Sequence, residues 1–299
     1  MTFVYSFLHM HNKWVYLVIL SIIWGSSFIL MKKGLVGLTD YQLGSLRIVL
    51  TSLFLFSVGF KSIKQIQKKH WKWIAISGFV SSFFPPFLFA IAQNYIDSAV
   101  ASILNSLTPL ATVIVGALLF KILSSKRQIL GVFIGLLGTL LLIWAGADFN
   151  GNNNHLYGLL ILVATIGYAL NVNIIKKYLT DISALSVTTG NFLFIFLPGL
   201  VVLYFTDFFE NILHSKEMQI SSAYIAILAL FGTAISKVLF NKMIQISTPV
   251  FASSVTYTMP IVAVLWGIID GEQFGVLQLV AALIILFGVY LSNKRVEKK

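Results

Sequence analysis

The chain has 299 residues, of which 58% are hydrophobic and only 10% charged. A soluble domain carries about 25% charged residues, so this composition excludes a soluble globular protein and defines a multi-span integral membrane protein. The net charge of +11 does not point to nucleic acid, because basic residues collect on the cytoplasmic loops of membrane proteins, and the absence of cysteine excludes disulfides and thiolate metal sites.

Taken in chain order, the apolar runs predict ten spans, at 14–33, 40–60, 72–94, 97–120, 128–146, 156–176, 183–205, 221–241, 248–269 and 274–292. The first run, from Trp14, is long and lacks a small-residue cleavage site, so it reads as a span and not as a cleaved signal peptide. The loops are short, apart from a connection at about 206–220, and leave no room for a soluble domain. Placing the N-terminus inside puts Lys13, the lysines of 61–72, Lys121, Lys126, Arg127, Lys176, Lys177, Lys242 and the basic C-terminal tail on the inner side. Only Lys32, Lys33 and Lys216 then fall outside, while Asp181 and Glu297 are the only acidic residues inside. The loop charges therefore predict a protein of the plasma (inner) membrane with both termini cytoplasmic.

The chain also repeats. Asp97 to Phe120 and Thr248 to Ile269 align so that Pro109 pairs with Pro260, Ala101 with Ala252, Ser102 with Ser253, Val113 with Val264 and Gly116 with Gly267. Lys32-Lys33 matches Lys176-Lys177, and Gln128 to Gly138 matches Gln278 to Gly288 after a one-residue shift. Two copies of a five-span unit result, in residues 1–148 and 155–295. Five is odd, so the second copy enters from the opposite face. The predicted fold is all-α, with ten transmembrane helices as two inverted five-helix repeats, the architecture of alternating-access carriers.

Candidate site residues come from the polar and proline positions inside the spans. Pro109 and Pro260 lie near the middles of spans 4 and 9, and proline removes a helical hydrogen bond and bends the helix. Both are hinge candidates, as is Pro86 in the Phe83-Phe84-Pro85-Pro86 run of span 3, where Phe84 is a candidate contact. In span 4, Ser102, Asn105 and Ser106 share a face with Pro109. Trp24 and Ser27 in span 1, Tyr168 and Asn171 in span 6, and Ser253 and Tyr257 in span 9 complete a predicted lining. Such an uncharged lining suits a neutral, zwitterionic or aromatic metabolite. The competing reading of each hydroxyl or amide is helix–helix glue.

Two cations lie within spans. Arg47 sits about 10 Å below the outer end of span 2, where it either binds a substrate carboxylate or helix carbonyls, or snorkels to the headgroups. Lys237 lies about four residues from the inner end of span 8, by the helix rise about 6 Å, where snorkelling is the competing reading. No Asp or Glu lies deep in a predicted span, and the five histidines fall in tails, loops or span ends. Carboxylate or histidine proton relays therefore have no evident members. Neither a His-Glu-x-x-His pair, a Gly-x-Ser-x-Gly elbow nor a phosphate-binding Gly-rich loop is present, so no enzymatic activity, metal or cofactor is expected.

Over essentially its whole length the chain resembles the EamA-type carriers of the drug/metabolite transporter superfamily. The residues that carry the resemblance are Ile23-Trp24-Gly25-Ser26-Ser27-Phe28 with Lys32, Arg47, Ala99-Val100-Ala101-Ser102 through Leu107-Thr108-Pro109, Phe231-Gly232-Thr233-Ala234, Ser253 through Met259-Pro260, and Asp270-Gly271-Glu272. The resemblance implies a ten-helix carrier with a central cavity lined mainly by spans 1, 3, 4, 6, 8 and 9, usually exporting amino acids or other metabolites. Lys237 is a departure, because relatives tend to have an aromatic or small residue there; facing the cavity, it would favour an anionic group on the substrate. The expected partners are a small-molecule solute and the lipid bilayer, with no nucleic acid, and the protein is expected as a monomer or homodimer. A multidrug exporter is the alternative of the same class, and a lipid scramblase or membrane scaffold the alternative of another.

Overall fold

The computed structural model describes residues 12–95, 101, 104–146, 155–269 and 276–292. Among these residues the structure is helical, with no strand. Helix α1 (Lys13–Gly34) is followed by α2 (Asp40–Gly59), which tightens into a 3-10 stretch at Phe60–Gln65. The next rod is α3 (Lys68–Gly78), a π-helical stretch Phe79–Phe83, and α4 (Phe84–Gln93). Then come α5 (Thr108–Val115) with a π-helical end at Gly116–Phe120, α6 (Lys126–Gly146), α7 (Gly158–Tyr178) and α8 (Ala184–Tyr204). A four-residue helix α9 (Phe208–Asn211) leads to α10 (Lys216–Ile227), a π-helical stretch Leu228–Ile235 and α11 (Ser236–Ile246). The chain continues through α12 (Pro249–Ser253), α13 (Val255–Ile269) and α14 (Val276–Ser292).

Among the described residues, six continuous helical rods are long and apolar enough to cross a membrane: Lys13–Gly34, Asp40–Gln65, Lys68–Gln93, Gly158–Tyr178, Ala184–Tyr204 and Lys216–Ile246. Several helix starts are fixed by short polar side chains. Asn12 accepts from the Trp14 N–H, Thr39 and Gln42 form a reciprocal capping box, and Ser183, Ser215 and Thr248 each accept from the N–H three residues on. Large apolar side chains such as Leu118, Leu137, Val163 and Leu197 are exposed, the outward grease of an integral membrane protein.

The predicted connection at about 206–220 differs in the structure. It contains α9, and the rod of predicted span 8 already begins at Lys216 and ends at Ile246. Lys237 is therefore farther from the end of its helix than the sequence implies. The early start has a local reason: Ser215 caps a polar first turn, which apolar periodicity alone does not register.

Small residues set the closest approaches. On α6 and α14, Gly135 and Gly288 bring two backbones together; a Cβ on Gly288 would stand 2.4 Å from the Gly135 nitrogen. On α7, Gly167 admits the Val80 carbonyl, which a Cβ would meet at 2.2 Å. That contact holds α7 against the π-helical turn of the α3–α4 rod.

Candidate functional site

The α3–α4 rod changes register where Pro85 and Pro86 come after Phe84. Proline has no N–H, so Pro85 leaves the carbonyl of Ser81, four residues back, without its helical donor. The Phe84 N–H reaches back five residues to Phe79 and makes the π-turn. Lys237 supplies what Pro85 lacks: its Nζ donates to the Ser81 carbonyl at 3.2 Å and to Ser81 Oγ at 3.0 Å. It also lies over the Tyr168 ring, 5.9 Å from the centroid. The snorkelling reading of Lys237 gives way to this inward geometry.

The π-helical stretch Leu228–Ile235 does the same on the facing rod. Thr233 Oγ1 donates five residues back to the Leu228 carbonyl and accepts from Arg47 Nε at 2.7 Å. The Gly232 carbonyl accepts from Trp24 Nε1 at 2.9 Å, and Ser236 Oγ lies 3.0 Å from the same indole nitrogen. Trp24 meets Phe240 edge to face, with centroids 5.0 Å apart.

These side chains surround one chamber with about 120 Å³ of free space. Its lining is drawn from α1, α2, the α3–α4 rod, residues 105–108, α7, the α10–α11 rod, α12 and α13. The resemblance implies all of these spans except α2, which contributes Arg47. Asn105 is 6% exposed, and its Oδ1 has no hydrogen-bond partner. Thr108 donates to the Asn105 carbonyl at 2.6 Å, the acceptor that Pro109 leaves without a helical donor.

Of the expected contact residues, Trp24, Ser27, Asn105, Tyr168, Lys237 and Ser253 line this chamber, and Pro86 lines it as well. Ser102 lies outside the described residues. The rest are placed elsewhere. Phe84 is 52% exposed and packs edge to face with Phe83, because the π-turn rotates it to the outer surface. Asn171 is buried and accepts from Ser77 Oγ at 2.6 Å, bracing α7 against α3. Tyr257 donates to the Val132 carbonyl at 2.8 Å and fixes α13 to α6. Ser106 is fully buried away from the lining.

The prolines are not alike. Pro109 stands in the first turn of α5, just past a turn at 106–107, whereas Pro260 lies inside α13, six residues beyond the break at Ser254. Neither lines the chamber.

The expectation of an uncharged lining is corrected, because Arg47 and Lys237 both face the chamber. Ser81, Ser82, Phe89 and Phe240 also line it and are not singled out by the sequence, and Thr233 joins them from the Phe231-Gly232-Thr233-Ala234 motif. A signal exists for the serines: the Pro85-Pro86 pair unpairs the carbonyls four residues back, which are those of Ser81 and Ser82.

Elsewhere, lysines serve structure. Lys176 Nζ donates to the Gln245 carbonyl at 3.1 Å and to the Ser247 carbonyl at 2.5 Å, at the C-terminus of α11. Lys177 Nζ donates to the Phe120 carbonyl at 2.8 Å. In the α7–α8 loop, Asp181 accepts from Lys69 Nζ at 2.8 Å and lies beside His70. The Lys69 bond, with His70 adding to it, holds the Asp181 carboxyl down to about 2.

Long apolar helices around a polar, cationic chamber define a polytopic membrane protein of transporter type. The chain belongs to the EamA-like transporter family, whose model matches residues 12–144 and 155–294. It is 24% identical over 261 residues to the uncharacterized transporter YyaM of Bacillus subtilis, covering 85% of this chain and 82% of the relative. An uncharacterized transporter of Archaeoglobus fulgidus is 24% identical over 288 residues, 95% of this chain and 99% of its own length. The uncharacterized inner membrane transporter YedA of Escherichia coli is 24% identical over 91% of this chain and 87% of its own length. A solved crystal structure shares the fold with a TM-score of 0.71 at 16% identity, covering 95% of this chain and 98% of that one.

Proposed function

We propose that the protein is a secondary carrier that moves small organic solutes across the plasma membrane by alternating access. In this reading the chain spans the membrane ten times as two inverted five-helix units, residues 1–148 and 155–295, with both termini cytoplasmic. Export is the direction that the resemblance implies.

The observation that carries the reading is the chamber, walled by residues from both halves of the chain and flanked by one π-distorted helix from each. The offset of 151 residues between Pro109 and Pro260 also carries Phe79–Phe83 onto positions 230–234, inside Leu228–Ile235. Equivalent distortions in two halves support a midplane site at the repeat interface. Backbone irregularity at such depth is tolerated where it lines a cavity, and both distortions do so here.

The test is transport by purified protein in liposomes loaded with a mixture of amino acids and related metabolites. Wild-type protein is expected to release one of them, and Asn105→Ala to slow release about tenfold or more, the scale of one lost buried hydrogen bond to a solute. Release that is unchanged in Asn105→Ala, with wild-type levels of folded protein, would remove this chamber as the route.

A further inference from the structure

Two cations face the chamber, and no carboxylate stands among its described lining residues. Arg47 uses Nε on Thr233; among the described residues its four terminal N–H groups have no protein acceptor. Lys237 places Nζ on Ser81 and leaves one N–H over. A cation withdrawn from bulk water without a counter-charge is costly, and a neutral solute that displaces chamber water makes that cost larger. An anion removes it. The guanidinium fork and the ammonium together match an oxyanion, with the fork fixing its plane and the ammonium adding a point charge.

A second observation concerns the other end of the ligand. Asn105 Oδ1 is buried and unpartnered, and its residue lines the same chamber. A carbonyl oxygen accepts, so it calls for a donor on the solute. Tyr168, Phe89 and Phe240 add aromatic walls for a short carbon body.

We propose that the chamber selects a small organic anion, with its oxyanion group held between Arg47 and Lys237 and a hydroxyl or ammonium donor on Asn105. This rests on the carrier reading only in treating the chamber as the solute site. The oxyanion is a carboxylate or a phosphoryl group, and the test separates the two.

The experiment is a thermal-shift titration of the detergent-purified full chain, which reads ligand binding without transport. The probes are lactate, malate, serine and glycerol 3-phosphate, with lactamide, malamide, serinamide and glycerol as controls that lack the anionic group. At least one anion is expected to raise the melting temperature in a dose-dependent way while its control does not. Whether a carboxylate or the phosphate ester gives that shift names the headgroup. Arg47→Gln and Lys237→Met are each expected to weaken the apparent affinity about 30-fold, as for other buried charge pairs, and Lys237→Arg to keep most of it. The proposal is overturned if no anion shifts the wild type, if controls shift it as much as the anions, or if both charge-removing variants bind like wild type. Anion-specific binding without any release from liposomes would instead keep the anion site and sink the carrier reading.

Discussion

Lys176 and Lys237 are both lysines on long apolar helices, yet their surroundings differ. Lys176 is fully engaged by backbone: its ammonium gathers carbonyls at the end of α11, where the helix dipole also favours a positive charge. Lys237 shares one carbonyl and one hydroxyl with a chamber that also holds Arg47, and no carboxylate balances the two among the described lining residues. The first is a helix cap. The second faces the chamber, where the proposed anion would meet it. Partners, more than depth along the helix, separate the two roles.

That contrast is sharpest in stability. Lys176→Met strands several carbonyls at a helix end, and a hydrogen bond to a charged group contributes about 1.5–3 kcal/mol, so a loss of about 3 kcal/mol is expected. Lys237→Met strands the single Ser81 carbonyl but also removes a cation that lacks a counter-charge, so the two effects oppose and a smaller net loss, about 1 kcal/mol, is expected. Thermal melts of the two variants in one detergent compare them directly. A larger loss in Lys237→Met than in Lys176→Met would invert the two roles.

A smaller effect is expected at the surface, where Lys69 and Asp181 form an exposed pair. The folded carboxyl titrates at about 2, below its ordinary value of about 4. Its contribution is therefore complete above about pH 4 and fades as the pH falls toward 2. Asp181→Asn is expected to cost about 0.5 kcal/mol or less at neutral pH, less still in high salt. Melts from pH 7 down to pH 2 are expected to converge for variant and wild type at the acid end. A gap that stays constant across that range would assign the effect to packing and not to the ion pair.

Much of the helix order is legible in the sequence because long apolar runs admit few other structures in lipid. Side-chain direction is less legible. Tyr257 and Asn171 have the polarity of ligand contacts, but the Val132 carbonyl and Ser77 meet them first. Nothing in their own spans announces those neighbours, which come from α6 and α3. Helical phase is a second obstacle. One extra residue in a π-turn rotates the remainder of the helix by about 100°, given 3.6 residues per turn. In the α3–α4 rod such a turn puts Ser81 and Ser82 on the chamber and turns Phe84 away from it. Lys237 is legible as a departure from the family pattern, and its partner Ser81 only through the chemistry of Pro85.

In the proposed carrier, one chamber is reached in turn from both faces of the membrane. The chain has no cysteine, so a single introduced thiol reports without background. Ser253→Cys places that thiol on the chamber, and Tyr257→Cys places one within the α13–α6 contact. Each variant is labelled in right-side-out and in inverted vesicles with a membrane-impermeant thiol reagent. Alternating access predicts that Ser253→Cys is modified from both sides and Tyr257→Cys from neither. Modification of Ser253→Cys from one side only, in protein that still transports, would contradict it.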